Sequence, residues 1–185
     1  MDIPVYITKH DTIETERLIL RRWKRRDLRD LFEYASVDGV GEMAGWPHHA
    51  DIDITRHVLR SFRKERNVFA VYHKADNKVI GSLGLHRSWS NDDDAYRHLR
   101  CKEIGYVLSR DYWGQGYMTE AVRAVINWCF VELKADALTC GHFTHNDRSR
   151  RVIEKCDFRF VRQSEYEARQ LGKTYDDARY ILMRK

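Results

Sequence analysis

Glu103-Ile-Gly-Tyr-Val-Leu108-Ser-Arg-Asp-Tyr-Trp113-Gly114-Gln115-Gly116-Tyr117-Met118-Thr119-Glu120-Ala121 is the stretch on which the reading of this chain turns. Glu103 to Leu108 has the pattern of a strand. Ala121, Val122, Val125, Ile126, Cys129, Phe130 and Leu133 then recur at the spacing of an amphipathic helix, the clearest periodic signal in the chain. Between them lies a turn with glycines at 114 and 116. A strand running through a glycine turn into a helix leaves backbone N–H groups without intrahelical partners, and the helix dipole adds partial positive charge there. Glycine lets those amides come close to a phosphate. The stretch is not a dinucleotide fingerprint, because Thr119 stands where the third glycine of GxGxxG would fall, and it lacks a Walker lysine.

The flanking sequence supplies the rest of a domain. Residues 1–12 read as an arm and residues 13–185 as one domain. A strand over Leu18 to Arg22 leads to a helix from about Arg26 to Ser36, with Leu28, Leu31, Phe32 and Ala35 in phase. Residues 38 to 50 form a loop holding Trp46, His48 and His49. A second helix spans about Ile54 to Arg66. Val68–Tyr72 and Val79–Leu85 are two strands of a hairpin around Lys74-Ala-Asp-Asn77. After the central stretch come a strand at Ala137–Phe143 and a short helix at Arg148–Lys155, which Asn146 or Asp147 can cap. Two strands follow, Phe158–Val161 and Tyr180–Met183, joined through Gly172. The expected fold is α/β (α+β): a mixed, mostly antiparallel sheet with one βαβ unit and flanking helices.

Composition narrows the function. The chain has 185 residues, 43% hydrophobic and 33% charged, enough for a sizeable core and too apolar for disorder. No apolar run approaches the roughly 20 residues of a membrane span, and the first residues lack a signal-peptide pattern. A cytoplasmic protein without a membrane partner is expected. Cys101, Cys129, Cys140 and Cys156 show no paired spacing and read as buried thiols. Cys140-Gly-His142 with His145 lacks a fourth zinc ligand, so no metal is expected. The net charge of +5 suits an anionic ligand. The basic runs at Arg21–Arg26 and Arg148–Arg151 sit in no recognisable nucleic-acid module, so a nucleic-acid partner is not expected.

Trp113-Gly-Gln-Gly-Tyr-Met-Thr-Glu-Ala121 closely resembles the pyrophosphate-binding motif of the GNAT superfamily of acetyl-CoA-dependent N-acetyltransferases. Thr15-Glu-Arg-Leu-Ile-Leu-Arg21, Asn146-Asp-Arg-Ser149 with Glu154-Lys155, and the tail with Gly172, Asp177 and Tyr180 are similar to its RimJ/RimL branch, which acetylates the N-termini of ribosomal proteins. The resemblance covers nearly the whole chain, in order, and implies a GNAT-like sheet with a splayed strand pair gripping acetyl-CoA. Four positions depart from the common pattern. Trp113 and Met118 are variants familiar in that branch. Asp157 replaces a frequent glycine. Ile153 stands where many members carry the tyrosine that protonates the departing thiolate, so that role must move elsewhere.

The resemblance implies direct attack of an amine on the thioester, with the protein supplying orientation and electrostatics. The Trp113–Thr119 turn (Trp113, Gly114, Gln115, Gly116, Tyr117, Met118, Thr119) would hold the diphosphate, and Asn146 the pantetheine arm. The Leu108 amide would face the tetrahedral oxyanion. Glu103 is the candidate base and Ser149 the candidate acid, although a surface glutamate and a helix first-turn serine are the structural alternatives. Trp46, His48 and Asp177 fall on the acceptor side. The amine acceptor is read as a protein N-terminal α-amino group. The alternatives are a small amine (polyamine or aminoglycoside), for which Asn91–Asp94 is the one dense acidic cluster, or a non-catalytic acyl-CoA sensor. A homodimer follows from the resemblance only.

Overall fold

The computed structural model describes all of residues 1–185. Eight strands form one sheet in the order β1-β2-β3-β4-β5-β6-β8-β7. They are β1 (Ile13–Glu14), β2 (Leu18–Arg21), β3 (Val68–His73), β4 (Lys78–Arg87), β5 (Cys101–Leu108), β6 (Ala137–Phe143), β7 (Arg159–Ala168) and β8 (Lys173–Met183). The helices are α1 (Leu28–Ala35), α2 (Ile52–Glu65), α3 (Tyr117–Val131) and α4 (Asp147–Lys155). Every neighbouring strand pair is antiparallel except β5 and β6, which α3 connects. This is the mixed sheet with a single βαβ unit that the pattern of the chain predicts. The last two strands run several residues longer than their apolar cores, because much of β7 faces water on both sides and carries no alternation to read.

Strand alternation divides the core into two layers. In β3, Phe69 and Val71 pack against α3, while Ala70 points the other way toward α1 and α2. Met118, Ala121, Val122, Val125 and Cys129 of α3 and Ile153 of α4 seal one face of the sheet. Leu31, Tyr34 and Ala35 of α1 and Leu59 of α2 seal the other, with Trp23 and Val79. The first residues are laid along the sheet: Ile3, Val5 and Ile7 are buried with the α3 layer, and Lys102 pairs with Asp2 at 2.8 Å. All four cysteines are free and buried. Burial pushes the Cys129 thiol up to about 12 and Cys156 to about 11.

The β5–β6 pairing is short. Cys101, Lys102 and Glu103 face Ala137, Leu138 and Thr139, and beyond that point the two strands share no pairing although both continue. The sheet therefore splits between Gly105–Leu108 on one side and Cys140–Phe143 on the other. Glu103 marks the apex of the split.

Candidate active site

The turn leaving β5 has an unusual number of free donors. The N-termini of α2 and α4 are closed by side chains: Asp51 accepts from Asp53 and Ile54, and Asn146 accepts from Ser149 N–H at 3.2 Å. At the N-terminus of α3 the capping position is Gly116, which has no side chain to cap with. None of the backbone N–H groups from Gly114 to Thr119 has a partner within the chain, and the first bond is Glu120 N–H to Gly116 O at 3.0 Å. Gly114 and Gly116 have φ of +76° and +82°, a region closed to most side chains, and a Cβ at Gly114 would meet nothing within 4 Å. Six consecutive donors at the positive end of a fifteen-residue helix make a site for an anion with several oxygens.

This turn is held open from outside. Trp113 donates its indole N–H to Leu108 O at 2.8 Å, with the Arg148 guanidinium 4.2 Å above its ring and Arg110 at 5.5 Å on the same residue. Trp113 thus ties the turn to α4. Arg17 donates to Gln115 O at 3.0 Å and to Glu120 Oε2 at 2.7 Å, while Thr15 donates to Glu120 Oε1 at 2.6 Å. Burial pushes the Glu120 carboxyl up, but these donors outweigh it and leave it below its usual value. Beside the turn, Arg17, Arg123 and Lys155 line an open groove with Gly116 and Thr119. The role of Arg17 was not legible from the sequence, where the only signal is the motif Thr15-Glu-Arg17.

At the apex, Glu103 is largely buried, and its Oε2 accepts long bonds from Trp89 N–H and Thr139 Oγ1, both at 3.4 Å. Burial raises its pKa. Directly paired residues share a sheet face, so the pairings Gly141↔Arg179 and Phe143↔Asp177 bring Asp177 and Arg179 of β8 to the side that Glu103 and Thr139 occupy. A Cβ at Gly141 would lie 3.2 Å from Asp177 Oδ1, so the missing side chain is what seats this carboxylate. Burial first, and then the nearby Glu103 charge, push Asp177 up to about 7, against the pull of Arg179, whose Nε is 3.7 Å away. Two carboxylates of raised pKa therefore lie on one face of the sheet. Beside Asp177, Phe143 packs its ring 4.5 Å from Tyr175 and 5.5 Å from Tyr166.

Ser149 lies across the split from β5. Its Oγ is 2.9 Å from the Tyr106 hydroxyl, which also reaches Ser149 O at 3.2 Å. Asn146 spends its side-chain oxygen on the α4 cap and points Nδ2 at Met43 O, 3.5 Å away. Leu108 is buried at the end of β5 opposite Gly81, its side chain in the core as expected. The 38–50 loop reaches this region at Gly45, where a Cβ would lie 3.0 Å from the Tyr166 ring. Two residues of that loop point elsewhere. Trp46 packs on Gly41 and sits 5.2 Å from the His49 ring, and the exposed His48 turns its Nδ1 to Glu42 Oε1 at 2.9 Å, closing its own loop. His142, weighed above beside Cys140, uses both ring nitrogens on Phe143 O and the Tyr180 hydroxyl.

A split parallel strand pair, an uncapped helix mouth open to an anion and a buried carboxylate at the split form the centre of the site. Residues 17–159 match the acetyltransferase (GNAT) domain family, and the chain belongs to it. It is an N-acetyltransferase, and acetyl-CoA is the acyl donor of that family. It is 28% identical over 180 residues to the uncharacterized N-acetyltransferase YoaA of Bacillus subtilis, covering 93% of this chain and 96% of that protein. Its fold matches a putative ribosomal-protein-serine acetyltransferase of Vibrio cholerae with a TM-score of 0.79 at 18% identity, covering 96% and 100% of the two chains. It also matches the microcin C7 self-immunity acetyltransferase MccE, solved with acetyl-CoA and AMP, with a TM-score of 0.73 at 16% identity over 92% and 94%. No helix is long and apolar enough to cross a membrane.

Proposed function

We propose that the protein moves the acetyl group of acetyl-CoA to a protein N-terminal α-amino group, in the manner of the RimJ/RimL branch. The observation that carries this reading is Glu103, a carboxylate buried at the apex of the split with a raised pKa. A buried carboxylate is a better base than an exposed one, yet still far weaker than a lysine-type amine. An α-amino group of pKa about 7.7–8.0 is already roughly 10–15% neutral near pH 7, whereas an amine near 10.4 is neutral to well below 0.1%. The base on offer matches the first demand.

Each residue then has a task. The Gly114–Thr119 amides bind the diphosphate, the groove of Arg17, Arg123 and Lys155 takes the neighbouring phosphate, and Asn146 Nδ2 turns to the pantetheine arm. Glu103 receives the amine proton, directly or through water. The Leu108 amide steadies the oxyanion, and the Ser149 hydroxyl serves the leaving sulfur. Asp177 holds the incoming ammonium. Trp46 and His48 shape the loop over the acceptor entrance.

The second reading, a small polycationic acceptor, draws on the paired carboxylates Glu103 and Asp177. It loses its other support: Asp92 is paired with Arg87, Asp93 with Arg162 and Asp94 with Arg97, so the acidic cluster is already neutralised. Release of CoA thiol from acetyl-CoA, measured with peptides beginning in serine or alanine, with spermidine and with an aminoglycoside, separates the readings. Turnover with peptides that disappears in Glu103→Gln is expected. Turnover with the small amines alone would overturn the acceptor assignment. Binding of acetyl-CoA with no turnover on any amine would leave an acyl-CoA sensor.

A further inference from the structure

We propose that Tyr106 is a positioning residue for departure of the thiol: its phenol donates to Ser149 Oγ and so aims the serine proton at the sulfur of CoA. This rests on the reading above, in which Ser149 serves the leaving group. Tyr106 lies on β5 two residues from both Ile104 and Leu108, so its side chain enters the α3–α4 layer with theirs. Its hydroxyl meets Ser149 Oγ at 2.9 Å and Ser149 O at 3.2 Å. The Ser149 N–H is fixed independently by Asn146 Oδ1 at 3.2 Å. One serine is thus held from both arms of the split, its backbone from the β6 side and its hydroxyl from β5. Ile153, where many relatives place a tyrosine, is 1% exposed and belongs to the core. The phenol reaches this point from the strand instead of the helix.

Proton accounting gives the pair its direction. The phenol has one proton and two acceptors within reach. Given to Ser149 O, it leaves the phenol oxygen as the natural acceptor for the serine proton, which then points away from sulfur. Given to Ser149 Oγ, it leaves the serine O–H free to donate outward, and a chain of two donors in series is stronger than either alone. As the amine nitrogen bonds to the acetyl carbon and the C–S bond breaks, the electron pair goes to sulfur, and the growing negative charge selects the second arrangement. Burial holds the Tyr106 phenol well above its ordinary pKa, so it keeps its proton. The amine proton leaves toward Glu103, and sulfur departs as a thiolate hydrogen-bonded to Ser149, taking its own proton from water on release.

The test needs no acceptor. CoA itself is bound to the enzyme and its thiol titrated by the ultraviolet absorbance of the thiolate. The wild-type complex is expected to titrate below free CoA in the same buffer. Ser149→Ala raises the bound pKa by about one, a tenfold loss of thiolate preference, and Tyr106→Phe raises it by about half as much. Tyr106→Phe combined with Ser149→Ala matches Ser149→Ala alone. Tyr106→fluorotyrosine, which keeps the ring and strengthens the donor, lowers the value and remains informative should the phenylalanine variant fold poorly. Tyr106 variants that titrate like wild type, with Ser149→Ala still shifted, would show that Tyr106 only packs and overturn this inference while sparing the proposed function. An additive double variant overturns it equally. Ser149→Ala without effect removes the serine and with it the tyrosine, whereas failure to bind CoA at all brings down the proposed function itself.

Discussion

The two ends of β5 solve their problems by opposite means. Beyond its C-terminal end the Gly114–Thr119 turn presents main-chain amides, six consecutive donors without a partner in the chain. At the apex, Glu103 of β5, Thr139 of β6 and Asp177 and Arg179 of β8 converge from segments more than seventy residues apart in all. The turn is built from backbone and depends on glycine where φ is positive. The apex is built from side chains and depends on register.

The largest expected effect lies at the apex. Glu103→Gln should lower kcat/KM for the amine by about 10²–10⁴-fold, the range of a lost general base, with acetyl-CoA affinity by calorimetry unchanged. Equal loss of CoA binding would erase the division between the two ends. Next is the turn: Gly116→Ala places a Cβ at φ +82°, which costs about 1–2 kcal/mol and should weaken CoA binding by about tenfold while leaving the amine KM alone.

The third test uses pH. Asp177 is pushed up to about 7 from 3.8 by burial and by Glu103. Because the folded protein holds this proton where the unfolded chain has lost it, stability contributed by the protonated carboxyl is complete below about 4, falls as pH rises, and levels off above about 7. Asp177→Asn should abolish that decline in denaturant titrations and also remove an acidic limb near 7 from the rate profile. An unchanged stability profile would mean the carboxylate is hydrated after all. A smaller effect is expected outside the turn. Arg17→Met frees Gln115 O and Glu120, and because Arg17 is partly exposed the stability loss should stay within about 1 kcal/mol, with CoA affinity down several-fold. Smallest is Gly141→Ala, whose Cβ must displace the Asp177 carboxylate by a few tenths of an ångström. It should raise the amine KM about two- to threefold and spare CoA binding.

The amino-acid sequence alone determined the strand–turn–helix with its unpartnered amides, because free amides, left-handed glycines and a 3.6-residue apolar period are all local properties. It also placed α1, α2, α4 and the β3–β4 hairpin, whose apolar spacing and caps are written within each segment. Glu103 and Ser149 were legible through their place in a familiar pattern, and Asp177 through its place near the last strand. Only the tertiary structure decided what surrounds them. It showed that β5 and β6 stop pairing at Glu103, that Gly141 makes room for Asp177, that Arg17 and Glu120 brace the turn, that Tyr106 meets Ser149, and that Trp46 and His48 turn into their own loop. These are contacts between residues distant in the chain. They are fixed by strand register and by which face each side chain takes, and a one-residue slip would reverse them while leaving the local pattern almost unchanged.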